Sequence, residues 1–156
     1  MERAIFAAGC FWGVEAKLKE VTGVTETTVG YTGGSTVEPS YEEVCTGKTG
    51  HAEAVEVIYD EGQVSYQELL DLFWECHNPT TLNREGPDIG TQYRSAIFYT
   101  TEEQKKLAQQ SKEELDSSDT YDDPIVTEIE EAGPFYEAEE YHQDYFAKKG
   151  SGGCKL

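Results

Sequence analysis

The chain is short of basic residues, of long apolar runs and of paired cysteine motifs. Only 12 Lys and Arg stand against 31 Asp and Glu among 156 residues, which gives a formal net charge of −19. Nucleic acids and anionic membranes attract clustered cations, and a surface with this excess of acids repels them. We therefore expect no nucleic-acid partner and no membrane partner.

Apolar segments long enough for a membrane are also missing. No run approaches the roughly 18 apolar residues of a membrane-spanning helix. Only about four apolar residues directly precede Gly9, whereas the apolar core of a secretion signal has roughly 7–15 residues. Because Glu2 also stands where such a signal is basic, the sequence predicts a cytoplasmic protein.

Four cysteines are present, at Cys10, Cys45, Cys76 and Cys154. Their spacing is wide and irregular, with no C-x-x-C pair, and indicates neither a zinc site nor a small disulfide framework. In a reducing compartment an isolated cysteine is either a buried apolar side chain or a reactive thiol. The two interpretations have to be separated for each cysteine in turn.

Length and apolar content are sufficient for one folded domain. Hydrophobic residues make up 37% of the chain, with ten Tyr and six Phe, which is enough for a core. The chain has no internal repeat and no low-complexity linker. We expect residues 1–156 to form a single domain with a flexible Gly-rich tail at 150–156.

Strands and helices alternate along the chain. Apolar and β-branched runs predict strands at Arg3–Ala8, Val24–Tyr31, Ala52–Tyr59, Gln92–Thr100 and Pro124–Glu131. Helical spacing and composition predict helices at Phe11–Glu20, Ser65–His77, Glu102–Ser117 and Phe135–Lys149, with a helical turn at Ser40–Cys45. This order predicts an α+β two-layer sandwich, in which a central mixed sheet with a ferredoxin-like core is flanked by helices.

Cys10 stands where the first strand ends in Gly9 and the first helix begins. Unpaired backbone amides and the positive end of the helix favour the thiolate, which is the nucleophilic form. Phe11 and Trp12 follow directly and can form an apolar wall that holds a small group such as a methyl. A buried apolar cysteine at a strand end is the alternative that this pattern leaves open.

The strand Ala52–Tyr59 has a carboxyl on its apolar face. By strand alternation Glu53 shares a face with Val55 and Val57. Partial desolvation raises the pKa of such a carboxyl and keeps it protonated near neutral pH, as a general acid requires. The alternative is that Glu53 lies in solvent at the start of the strand, and the neighbouring His51 is interpreted as a loop hydrogen-bonding residue.

A long loop and the tail also contain polar or reactive groups. Asn78–Gly90 is longer than the loops that compact domains usually retain, which is typical of a functional loop. It contains Asp88 and leads to Arg94, which can equally pair with a surface acid. Cys154 follows glycines and a serine, so its thiol can reach a distant sulfur, and an unused exposed thiol is the alternative.

Four ordered blocks resemble the peptide methionine sulfoxide reductase A family. They are GCFWG at Gly9–Gly13, PSYEEVCTGKTGHAEAV at Pro39–Val55, GTQYRSAIF at Gly90–Phe98 and YHQDYFAKK at Tyr141–Lys149. The resemblance covers nearly the whole chain. It implies a thiol-dependent oxidoreductase that reduces the S epimer of methionine sulfoxide, free or in proteins, and repairs oxidised proteins. It also implies no metal and no bound cofactor.

The resemblance implies a role for each site residue. Cys10 would attack the sulfoxide sulfur and become a sulfenic acid, Phe11 and Trp12 would enclose the methyl group, and Glu53 would protonate the sulfoxide oxygen. Tyr41 and Tyr93 would hydrogen-bond that oxygen. Asp88 would help to orient the site through Tyr93 or a water.

The resemblance also implies how the thiol is recycled. Cys154 would attack the sulfenic acid, and a thioredoxin-like donor would reduce the resulting Cys10–Cys154 disulfide. Many relatives have a second, later cysteine, which this chain lacks. Cys45 and Cys76 are interpreted as structural, with Cys45 as the fallback resolving cysteine. We expect a monomer, since nothing in the sequence indicates an obligate interface.

Two other functions fit part of the pattern. A cysteine hydrolase would use Cys10 with His51 as its base and Asp88 as the residue that orients it, and it needs a histidine within hydrogen-bond reach of the thiol. An acidic binding module would grip a partner's methionine with its aromatic residues and would show no turnover.

Overall fold

The computed structural model describes residues 1–85, 88–118, 120–143 and 145. Its strands are β1 (Glu2–Ala8), β2 (Val24–Thr32), β3 (Ala52–Tyr59), β4 (Arg84–Glu85), β5 (Asp88–Ile89), β6 (Ser95–Tyr99), β7 (Glu128–Glu131) and β8 (Phe135–Glu137). Its α-helices are α1 (Phe11–Lys19), α2 (Tyr41–Cys45), α3 (Tyr66–Glu75) and α4 (Glu102–Ser117). Short 3-10 turns lie at Thr91–Tyr93 and Glu140–His142.

Within these residues the centre of the fold is a six-stranded sheet in the order β7-β6-β1-β3-β2-β8. β6 and β7 run parallel, and the other neighbouring strands run antiparallel. β4 and β5 form a separate small hairpin. The prediction of an α+β fold with a mixed sheet flanked by helices is confirmed.

The central strands β1 and β3 are apolar on both faces because both faces of the sheet are covered. On one face Phe6 packs against Tyr66 and Phe73 of α3, with ring centroids 5.9 and 5.4 Å apart. On the other face Ile5 belongs to a smaller buried cluster with Phe98. In the described part of the chain, no helix has the length and apolar character needed to cross a membrane.

The helix predicted at Phe135–Lys149 is wrong over its first part, residues 135–143, whereas Tyr145 is helical. Phe135–Glu137 is the edge strand β8, paired antiparallel with β2, and a 3-10 turn follows. Gly30 of β2 allows this approach, since a Cβ there would lie 2.6 Å from the Phe135 ring. Pairing with the open edge of β2 therefore overrides the local helical pattern.

Two predicted strands begin later than expected. The strand predicted from Gln92 begins at Ser95, because a 3-10 turn occupies Thr91–Tyr93 after Gly90, whose φ is +146°. The strand predicted from Pro124 begins at Glu128 and lies at the sheet edge. Charged side chains suit an edge strand, since they hinder pairing with another chain.

His77, just after α3, ties this helix to the strand end next to Cys10. Its Nδ1 lies 2.8 Å from the Phe73 carbonyl, and its Nε2 lies 2.7 Å from Ser95 Oγ. Ser95 Oγ also lies 2.7 Å from Thr127 Oγ1, and Ser95 pairs with Ala8 in the sheet. Because a carbonyl only accepts, Nδ1 has the proton, and a neutral ring accepts at Nε2 from the serine.

Acid should weaken the fold through this histidine. Burial lowers the pKa of His77 to about 4, whereas an unfolded histidine titrates near 6.5. The stability due to neutral His77 is therefore complete above about pH 6.5 and is lost as the pH falls towards 4. We expect His77→Gln to show a shallower fall in the free energy of unfolding between pH 7 and 4, measured by urea denaturation. Parallel declines in the two proteins would contradict this assignment.

Candidate active site

Cys10 lies at the N-cap position of α1, in extended backbone with φ −62° and ψ 121°. Gly9 before it has φ +89°, and a Cβ there would lie 2.8 Å from the side chain of Glu85. Only glycine fits this turn easily. The uncharged first turn of α1 leaves the positive end of the helix beside the Cys10 sulfur, which favours a thiolate.

Glu53 lies beside this helix start and is 2% exposed. Its Oε1 accepts the backbone N–H of Phe11 at 3.3 Å. The alternative that Glu53 lies in solvent is therefore wrong. Burial disfavours a charged carboxyl, and a carboxyl next to a thiol and a helix N-terminus can supply a proton there.

Tyr93 is the point where several predicted site residues meet. Burial raises the pKa of Tyr93, and the nearby charges of Glu53, Cys45, Asp88 and Cys10 raise it further. Tyr93 therefore lies within electrostatic range of Cys10, Glu53 and Asp88. With its pKa raised, the Tyr93 hydroxyl keeps its proton at neutral pH and can donate a hydrogen bond.

Tyr41 begins α2 and faces the same carboxyl. Burial raises its pKa, and a hydrogen bond with Cys45 and the charge of Glu53 add to the shift. Cys45 is exposed and lies beside Tyr41, so its interpretation as a structural cysteine does not describe its environment. Cys76 does fit that interpretation, because burial raises its pKa to about 12.

Phe11 and Trp12, the two aromatic residues that follow Cys10, are supported by side chains that the sequence pattern missed. Phe11 is 1% exposed and packs against Tyr31, with ring centroids 5.8 Å apart. Trp12 Nε1 donates to His142 Nδ1 at 2.9 Å, and the Tyr145 ring stacks on the indole with centroids 3.9 Å apart. His142 and Tyr145 are three residues apart in the fourth block, and this spacing was the signal available.

Glu139 is a further residue that the sequence pattern missed. Its Oε1 accepts from the Tyr31 hydroxyl at 2.8 Å, and its Oε2 accepts from the Tyr41 backbone N–H at 2.9 Å. It lies between β8 and the 3-10 turn that contains His142. The acid therefore joins the C-terminal segment to two segments of the site.

His51 does not act as a base for Cys10. Its Nδ1 accepts the backbone N–H of Gly34 at 3.1 Å, so the proton lies on Nε2, which is 2.6 Å from the Thr36 carbonyl. Both ring nitrogens are therefore hydrogen-bonded to the backbone of the loop that contains Gly34 and Thr36. The hydrolase alternative thus loses its base.

Two further residues that the sequence singled out are Arg94 and Cys154. Arg94 is 8% exposed, and its Nε lies 3.0 Å from Glu128 Oε1, which makes it a structural ion pair. Cys154 lies outside the described residues. Among the residues that are described, no group of three or more His, Cys, Asp or Glu could hold a metal ion.

Known proteins resemble this chain over nearly its whole length. The family model for peptide methionine sulfoxide reductase matches residues 2–156. A peptide methionine sulfoxide reductase MsrA from Methanoculleus marisnigri is 62% identical over 155 residues, covering 99% of this chain and 94% of that protein. The MsrA of Methanosarcina acetivorans is 59% identical over 150 residues, covering 96% of this chain and 80% of that protein.

Solved structures agree with these relatives. Reduced Mxr1 from Saccharomyces cerevisiae has a TM-score of 0.91 at 37% identity, over 98% of this chain and 88% of that one. Mxr1 in complex with Trx2 has a TM-score of 0.66 at 27% identity, over 92% of this chain and 84% of that one. On the match of the family model and on these identities, the chain belongs to the peptide methionine sulfoxide reductase family.

Proposed function

We propose that the chain reduces the S epimer of methionine sulfoxide to methionine, free and in proteins, and so repairs oxidised proteins. One observation supports this most strongly. The buried Glu53 carboxyl accepts the Phe11 amide at 3.3 Å, and Phe11 directly follows Cys10 at the start of α1. A nucleophilic sulfur and a proton donor on one side of an apolar wall suit attack on a sulfoxide.

The substrate methyl group would lie against Phe11 and Trp12, whose rings are held by the contacts described above. In this pose the sulfoxide sulfur would face Cys10 and its oxygen would face Glu53. Tyr41 and Tyr93 keep their protons because burial raises both pKa values, so both phenols can donate hydrogen bonds to that oxygen. The charge of Asp88 acts on Tyr93, and Asp88 would help to orient the site through this tyrosine or a water.

In the reductive step, the Cys10 thiolate attacks the sulfoxide sulfur while Glu53 gives its proton to the sulfoxide oxygen. The protonated oxygen then passes to Cys10, as the bonds that join the substrate sulfur to that oxygen and to the Cys10 sulfur break. Methionine leaves, and Cys10 becomes a sulfenic acid. The thiol loses two electrons and the sulfoxide gains two, so the step balances without a metal or a bound cofactor.

In the recycling step, the Cys154 thiol attacks the sulfenic acid of Cys10 and releases water, which leaves a disulfide. A thioredoxin-like dithiol then reduces that disulfide. Support comes from yeast Mxr1, whose fold is similar to that of this chain and whose structure is solved in complex with Trx2. The exposed Cys45 is the alternative partner.

Turnover of each sulfoxide epimer, first with dithiothreitol and then with thioredoxin, tests this proposal. We expect methionine from the S epimer with both reductants and none from the R epimer. Peptide mapping after one turnover without reductant should find Cys10 bonded to Cys154. Equal use of both epimers would contradict the stereochemical assignment, and a Cys10–Cys45 bond would contradict the recycling assignment.

The wider setting is also a proposal. The acidic composition and the absence of a long apolar run in the sequence favour a cytoplasmic monomer with one catalytic domain and a flexible tail at 150–156. Light scattering of the purified protein tests the monomer, since a dimer would have twice the chain mass of 17.4 kDa.

A further inference from the structure

Glu139 holds two different parts of the site with one carboxylate. Oε1 accepts from the Tyr31 hydroxyl on β2, and Oε2 accepts from the Tyr41 amide on α2, at 2.8 and 2.9 Å. The two bonds span 108 and 98 residues of sequence. Glu139 takes no part in the reductive step described above, so these two hydrogen bonds must serve another role.

The bond to the Tyr41 amide fixes α2. This helix has five residues, and so short a helix has little stability of its own. Ser40 and Glu43 cap each other's backbone amides in a capping box, and Glu139 supplies the acceptor for the Tyr41 amide. Because the bond is to the backbone of Tyr41, it also fixes the position from which the phenol side chain of Tyr41 extends.

The bond to the Tyr31 hydroxyl has a different consequence. Tyr31 is fully buried and lies opposite Glu53 in the pairing of β2 with β3. Among the described tyrosines, those whose pKa is raised partly by the charge of Glu53 are Tyr31, Tyr41 and Tyr93. The Tyr31 proton is donated to Glu139, so this hydroxyl does not donate to Glu53 or to a substrate oxygen.

We propose that Glu139 is a positioning residue that selects which phenols serve the reaction. It fixes Tyr41 through its backbone amide, and it withholds the Tyr31 hydroxyl from the reacting groups. Tyr41 and Tyr93 are then left to bind the sulfoxide oxygen. This inference rests on the function proposed above for Tyr41 and Glu53.

The charge of Glu139 supports the same role. Burial alone would raise its pKa, but the Tyr41 amide, its own backbone amide and the Tyr31 hydroxyl outweigh this effect and lower the pKa. Glu139 is therefore ionised at neutral pH. A fixed negative charge beyond Tyr31 disfavours a second negative charge on Glu53 and so favours the protonated acid.

Several groups from the surrounding elements lie near Glu53. From the described residues they are Cys10 at the N-cap of α1, the Phe11 amide on α1, Tyr31 on β2, Tyr41 and Cys45 on α2, and Tyr93 on the 3-10 turn. Glu139→Gln removes none of these groups, but it removes one negative charge near Glu53 and frees the Tyr31 hydroxyl. The pKa of Glu53 should then fall, so activity should decline at a lower pH.

Glu139→Gln tests the proposal, because a glutamine has the same shape but cannot accept from both partners. Loss of a charged hydrogen bond of about 1.4 kcal/mol should slow methionine formation in a single turnover about tenfold. We expect KM to change less than twofold, and the alkaline limb of the pH profile to move to lower pH. Glu137→Gln is the matched control, since this exposed acid two residues earlier removes the same charge.

Tyr31→Phe separates the two contacts. If the released Tyr31 hydroxyl accounts for part of the loss, the double variant E139Q/Y31F should be faster than E139Q alone. If E139Q runs at the rate and with the pH profile of E137Q, the proposal is wrong. Absence of methionine formation by the parent protein would instead overturn the proposed function.

Glu139→Asp keeps the test decisive if the glutamine variant does not fold. Aspartate keeps the charge and both acceptor oxygens but is one methylene shorter, so its bonds are longer and weaker. We expect a rate about two- to fivefold below that of the parent, with the alkaline limb unmoved. A rate equal to that of the parent would contradict the positioning role.

Discussion

Cys10→Ser is expected to lower methionine formation by at least about 10⁴-fold, as loss of a nucleophile does in other enzymes that depend on one. A serine hydroxyl stays protonated at neutral pH, even at the positive end of α1. The cysteine sulfur accepts the sulfoxide oxygen and becomes a sulfenic acid, and a serine oxygen cannot do this. Methionine released from the S epimer with dithiothreitol, measured by chromatography, checks this expectation.

Two of the other cysteines provide the controls. Cys45→Ser and Cys76→Ser make the same change of one atom at an exposed and at a half-buried cysteine. With dithiothreitol as reductant both should retain most of the parent's activity, because neither thiol takes part in the attack. Comparable losses in all three variants would place the nucleophile elsewhere or indicate general unfolding.

The features that sequence reasoning predicted well depend on short stretches of chain. The alternation along Ala52–Tyr59 indicated that Glu53 shares an apolar face, and the structure buries it there. The order strand, Gly9, Cys10, helix was also visible, because a strand end and a helix start need only neighbouring residues. Local periodicity is enough for both predictions.

The features that were missed depend on partners far away in sequence. Trp12 and His142 are hydrogen-bonded across 130 residues, and Tyr41 and Glu139 across 98. Neither pattern can be derived from spacing along one element, since the sheet order brings β8 next to β2. The same long-range pairing made Phe135–Glu137 a strand where helical spacing predicted a helix.

Cys45 shows how a matched block can still mislead about a side chain. Its place inside a block shared with the family favoured a structural interpretation, yet its side chain is exposed next to Tyr41. A five-residue helix does not have enough turns to define a buried face from its sequence. The exposure of Cys45 therefore had to come from the packing of α2 against other segments.

Glu53→Gln is expected to slow the reductive step by about 10²- to 10⁴-fold, the usual contribution of a general acid. Glutamine keeps the shape of the side chain and can still accept the Phe11 amide, so the site should keep its geometry. It has no proton to give to the sulfoxide oxygen. The parent should lose activity as the pH rises through the pKa of Glu53, and the variant should lack this alkaline limb.

The matched control lies on the same strand. Glu56 points to the other face of β3 and pairs with Arg3, so Glu56→Gln removes one carboxylate without touching the site. Single-turnover rates for the parent and both variants, measured from pH 6 to 10, separate the proton donor from a general effect of charge. An alkaline limb that persists unchanged in Glu53→Gln would show that another group supplies the proton, and Tyr93, which faces both Glu53 and Cys10, would be the next residue to substitute.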